Sequence, residues 1–175
     1  MGSTLDYVAV RASREVVIEA PPETILNALA DIESAPSWSP MHKRVEVLDT
    51  YDDGRPHHVK VHYRLMGIAD KEVLEYHWGR DWMVWDAAET FQQHAQHVEY
   101  TLRPEGGKTR VRFDLTMELR APVPDFLMRR ATNTVLDIAT EGLRRRVLGV
   151  EPCDGAMTKQ RNSFRSTARR VRAQG

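Results

Sequence analysis

This sequence is short of cysteine, of long apolar runs and of net charge, and each shortage removes a class of protein. The single cysteine, Cys153, excludes a disulfide framework and a thiolate metal cluster. No apolar run approaches the roughly 20 residues that a membrane-spanning helix needs. The N-terminal stretch has no charged-then-apolar signal pattern. Lys and Arg number 25 against 25 Asp and Glu, so no global field draws the chain to nucleic acid or to a membrane. The expectation is a cytoplasmic protein without nucleic-acid partners. Charge is uneven, however. From Asp154 onward the chain holds Lys159, Arg161, Arg165, Arg169, Arg170 and Arg172 against one acid.

What is present is a pattern of periods. At 175 residues the chain is most simply one domain, large enough to bury a core. Residues 1–13 read as a lead-in, with an extended piece at Tyr7 to Val10. Arg14 to Ala20 reads as a strand, ended by Pro21 and Pro22. Ile25, Leu26, Leu29 and Ile32 then recur at helical spacing, and a second short helical turn carries Trp38 between Pro36 and Pro40. After that the period falls to two. Strands are expected at 43–49, 59–65, 70–78, 82–87, 94–103 and 109–120, joined by short turns at Asp52-Asp53-Gly54, Met66-Gly67, Gly79-Arg80-Asp81 and Gly106-Gly107. The final stretch, Ala121 to Gly149, reads as one helix, roughly 36 Å long from Asp125 to its stop before Gly149 at 1.5 Å per residue. Asp125 stands in its first turn, Arg144 to Arg146 in its last, and Gly149 at its stop. Leu127, Ala131, Val135, Ile138, Gly142 and Val147 mark its apolar stripe.

The expected fold is therefore α+β. A curved antiparallel seven-stranded sheet wraps a long C-terminal helix, with two short helices after the first strand. The folded domain spans 14–149, and 150–175 is a basic tail, either disordered or a short amphipathic helix. Such a sheet has one polar face and one apolar face, and only the last helix is long enough to cover the latter. Side chains on a concave sheet diverge from the helix ends, so an internal cavity opening near the short helices is expected.

These segments resemble the START-related polyketide cyclase/dehydrase and lipid-transport superfamily, also called SRPBCC, whose architecture is the helix grip. The resemblance lies in PPETILNALADIESAPSWSP, in Val84-Trp85, in YTLRPEGGKTRVRFDLTMEL and in VPDFLMRRATNTVLDIATEGLRRRV. The proline-bounded tryptophan and the Pro124 to Arg130 start of the last helix are most similar to small actinobacterial members. The resemblance implies a hydrophobic cavity and a ligand-binding role for the domain. It brings no catalytic motif, because the fold hosts carriers, cyclases and aromatases, and receptors alike.

Cavity residues follow from strand parity and helix spacing. Trp38, Met41, Tyr63, Leu65, Tyr76, Trp85, Gln96, Tyr100, Phe113, Leu115 and Met117 are the expected lining from the sheet side. Leu127, Ala131, Thr134, Val135 and Ile138 are the expected lining from the helix. Aromatic rings and methionines suit a flat or greasy ligand. Ordinary core filling is the competing reading for each. Candidate acid/base groups are His94, Tyr63 and Tyr100, with His94 also readable as a solvent-exposed strand end. His57, His58 and His62 fall at a loop and on the solvent face of a strand, so no metal site is expected, and no cofactor motif is present.

Three functions stay open. The first is binding or transport of a lipid, polyketide or isoprenoid. The second is a polyketide cyclase, aromatase or dehydratase. The third is a protein-interaction module acting through the basic tail, which also suits weak contact with an anionic membrane or an acidic partner. Ligand identity and oligomeric state are not encoded in any motif.

Overall fold

Proline, glycine and the period-two stretches divide the chain much as expected. The computed structural model describes residues 7–90, 93–120 and 122–150. Strand β1 runs Val8–Ile18, helix α1 Pro22–Ala30, and α2 Ala35–Trp38, with a 3-10 turn at Ile32–Ser34 between the helices. Six strands follow: β2 His42–Thr50, β3 Pro56–Leu65, β4 Ile68–Trp78, β5 Trp82–Ala87, β6 Gln93–Glu105 and β7 Lys108–Leu119. The C-terminal helix is α3 Asp125–Asp137, a π-helical turn Ile138–Gly142, and α4 Leu143–Leu148.

The seven strands form one sheet in the order β1-β7-β6-β5-β4-β3-β2, and every neighbouring pair is antiparallel. Strands β1 and β2 are thus opposite edges. Helices α1 and α2 are the connection that carries the chain from one edge to the other. Alternation decides which side chains enter the core: in β7, Val111, Phe113 and Leu115 are buried while Arg112 and Thr116 are exposed. The helix is tied to its surroundings by ion pairs of Arg14 with Asp137, Arg144 with Glu19 and Arg146 with Asp31. Such surface pairs fix orientation more than they add stability.

Three details depart from the sequence reading. Strand β1 begins at Val8, inside the expected lead-in, because residues from Val8 onward pair with β7 from Leu119 downward. The last helix is not uniformly α-helical. Its π turn admits an extra residue, so the apolar stripe shifts along its length. Leu136, Ala139 and Leu143 are the buried apolar side chains, Leu143 completely, whereas Leu127, Ala131, Val135 and Ile138 are half-buried. The third departure is a register shift in β6 between Gln93 and Ala95, which turns Gln93 inward. The basic tail from 151 onward lies outside the described residues. Among the described residues, no helix is long and apolar enough to cross a membrane.

Candidate functional site

The half-buried stripe of α3 has a cause: it faces a cavity. Between the concave face of the sheet and the C-terminal helix are two adjoining lobes, of about 130 and 200 Å³. Tyr63, Leu65, Leu115, Met117 and Val135 line both, and so form the waist between them.

The inner lobe is roofed by the short helices through Leu29, Ile32, Ala35 and Trp38. Its walls come from alternate positions of successive strands: Tyr76 of β4, Trp85 of β5, Gln96 and Tyr100 of β6, and Phe113 of β7. Met41 and Ile138 close it at the sides. The outer lobe lies toward the β3–β4 hairpin and the start of α3. Leu127, Ala131 and Met128 line it from the helix, and Met66 and Ile68 from the hairpin. Met66 and Ile68 are exposed, so this end adjoins solvent. The inner lobe reaches the short helices, where an opening is expected, and the outer lobe lies at the other end, beside a Met66-Gly67 turn in which both residues have positive φ.

Two expected site residues are not on the lining. Thr134 lines neither lobe, and its hydroxyl donates to the Arg130 carbonyl at 3.0 Å. His94 stacks on Tyr7 at 4.4 Å and lies near Glu89, outside both lobes, because the β6 register shift rotates this end of the strand. The tyrosines differ from each other. Tyr100 donates its hydroxyl to the Ala139 carbonyl of the π turn at 3.0 Å, so that group is already engaged. The Tyr63 hydroxyl has no hydrogen bond to another described side chain or carbonyl, while its backbone pairs with β2 and β4. Burial, the largest cause, pushes both phenols up from their ordinary range, so each is a neutral donor.

The polar groups that sequence reasoning missed are Glu72, His42 and Gln93. Glu72 is 8% exposed and lines the inner lobe. Its parity is that of Leu74 and Tyr76, so the signal was present: an acid two residues before an inward leucine. Its carboxyl is raised to about 7, by burial first and by Asp70 next, against a hydrogen bond from Gln93 that lowers it. That bond runs from Gln93 Nε2 to Glu72 Oε2 at 2.6 Å. His42 pairs with Tyr63 across β2 and β3, and its Nδ1 is 2.6 Å from the Ser39 hydroxyl. Burial lowers its pKa to about 4, so the ring is neutral at neutral pH. Trp38 Nε1 is buried without a hydrogen-bond partner among the described residues.

Outside the cavity, Asp49, His57 and His58 come together at the β2–β3 end of the sheet. His58 Nδ1 lies 2.9 Å from Asp49 Oδ2 and His57 Nδ1 lies 3.3 Å from Oδ1. The hydrogen bond from His58 is the main cause that holds the Asp49 carboxyl below its ordinary range. His62 stands apart, in a shallow groove with Lys43 and Arg64.

Comparison with known proteins matches this architecture. A START superfamily protein from Mycobacterium smegmatis superposes with a TM-score of 0.71 at 23% identity, covering 81% of this chain and 99% of that one. The Zhui aromatase/cyclase from Streptomyces sp. R1128 superposes with a TM-score of 0.69 at 13% identity, over 85% of this chain and 99% of that one. A protein of Thermus thermophilus is 25% identical, with a TM-score of 0.62 over 83% of this chain and 100% of that one. No curated protein matches in sequence. The family profile described as polyketide cyclase / dehydrase and lipid transport matches residues 9–148, from the first strand to the end of the last helix, and the chain belongs to that family.

Proposed function

We propose that the protein binds or carries a hydrophobic small molecule in the two-lobed cavity. The observation that supports this best is the cavity itself: an apolar space between the sheet and the helix, walled by aromatic and methionine side chains. Burial of apolar ligand surface supplies the affinity, at about 25 cal/mol per Å² before ordering costs. The family description joins lipid transport to polyketide chemistry, which fits the same cavity. The test is native mass spectrometry of protein purified without detergent, then extraction and identification of what it carries. A retained or readily reloaded apolar molecule is expected; protein that neither retains nor takes up one refutes the reading.

A cyclase or dehydratase is the second reading, favoured by one observation: Tyr63 and Glu72 bring a neutral phenol and a carboxyl of near-neutral pKa to the same lobe. His94 is no longer part of that reading, and Tyr100 is tied to the helix. Turnover of a linear poly-β-ketone to a cyclised product, lost in Y63F and E72Q, is the result this reading requires.

A further inference from the structure

An acid in an apolar cavity is costly, and Glu72 sits there without a cation. Neither lobe has a lysine or arginine among its described lining, and Glu72 is the only carboxylate in either. The nearest charged neighbour that acts on it is another acid, Asp70, whose carboxylate is taken by the Thr90 hydroxyl at 2.6 Å. Diagonal to it on β3 is Tyr63, and on its own strand Tyr76, both neutral. His42, neutral as well, lines the same lobe from β2. A buried charged or polar group of this kind is normally satisfied by partners. Here one oxygen, Oε2, accepts from Gln93, and Oε1 has no hydrogen-bond partner among the described residues.

The setting is built. Glu72 is placed opposite Val61 on a central strand, with its parity fixed by Leu74 and Tyr76. Gln93 reaches it only because the β6 register shift turns that side chain inward. Glu72 lines the inner lobe, Gln93 the outer lobe, and Tyr63 both. The one carboxyl thus stands at the waist between two apolar chambers.

We propose that Glu72 is the polar anchor of the cavity, and that its ligand is an uncharged apolar molecule with a hydroxyl group at the waist, donating to the Glu72 carboxyl. A free carboxylic acid is disfavoured there, since its charge would meet Glu72 and Asp70 with no lysine or arginine to offset them. This inference rests on the cavity being a binding site, and deepens that reading by naming the ligand class.

The test is calorimetric titration, at pH 8, of the full chain with 2-naphthol, 2-methylnaphthalene and 2-naphthoate, repeated on E72M. Methionine keeps the length of the side chain and removes the acceptor. A hydrogen bond to an ionised group corresponds to about a 10-fold or larger preference. The wild type is therefore expected to bind 2-naphthol about 10-fold more tightly than 2-methylnaphthalene, and 2-naphthoate weakest. In E72M the first two are expected to converge, with circular dichroism unchanged. Equal binding of 2-naphthol and 2-methylnaphthalene to the wild type overturns the anchor while leaving the cavity as a binding site. So does preferred binding of 2-naphthoate. Binding of none of the three overturns the anchor and the binding reading together. Because the wild-type comparison stands alone, a poorly folded E72M does not spare the proposal.

Discussion

Glu72 and His42 pull the pH dependence of stability in opposite directions. Glu72 has a folded pKa of about 7 against an ordinary 4.5, so the folded state favours its protonated form. Its contribution is fully present below 4.5 and is lost as pH rises through about 7. His42 has a folded pKa of about 4 against 6.5, so its contribution is present above 6.5 and is lost as pH falls through about 4. Between those limits the two slopes oppose each other. In E72Q the first slope disappears. Relative to wild type, E72Q is expected to be more stabilising at pH 8 than at pH 5 by about 2 kcal/mol, since each tenfold change in proton affinity is worth about 1.36 kcal/mol. Urea denaturation of both proteins at the two pH values measures it; an equal difference at both pH values contradicts the burial of an uncompensated carboxyl. The two tyrosines give a second contrast at this scale. Y100F leaves the Ala139 carbonyl without its donor and is expected to cost about 1–2 kcal/mol. Y63F, with no such bond to lose, is expected to cost well under about 1 kcal/mol. Equal losses in the two variants contradict that division.

The C-terminal helix works as two pieces. Beyond the π turn, Leu143 is fully buried and α4 ends at Gly149, whose φ of 66° is left-handed. G149A is expected to cost about 1 kcal/mol, because a Cβ disfavours that conformation; thermal melts check it. Before the turn, α3 presents its apolar stripe to the cavity. V135F, from a residue lining both lobes, is expected to block uptake of 2-methylnaphthalene. T134F, one residue along and off the lining, is expected to bind it as wild type does. If T134F loses binding as fully as V135F, the stripe does not form the cavity wall.

These elements also show what a linear reading reaches. Strand parity set Tyr63, Tyr76, Tyr100 and Phe113 inward, and helical spacing picked Leu127, Ala131 and Val135, because both periods are purely local. Thr134 shared the helix but not the face, and small size alone did not mark the lining. Glu72 followed the same parity as Leu74, yet an acid is not ordinarily read as an inward residue. Gln93 carried no local signal at all. Its inward turn depends on a register shift against β7, which is a property of the pairing partner. The π turn likewise arises from packing rather than from spacing.

At the scale of the whole molecule, the edges of the sheet, β1 and β2, are joined by α1 and α2, and the helix closes the concave face. The result is a chamber with an apolar wall, a polar waist and one end beside solvent at Met66 and Ile68. Methionine reports on this directly. Of the seven methionines in the chain, Met41 and Met83 line the inner lobe, Met66 and Met128 the outer, and Met117 both. Carbon-13 methyl labelling with a titration of 2-methylnaphthalene therefore reads the whole cavity in one spectrum. Saturable shifts at Met41, Met83, Met66, Met128 and Met117 are expected. A spectrum in which those five stay in place, or in which only Met1 and Met157 move, contradicts a ligand chamber between the sheet and the helix.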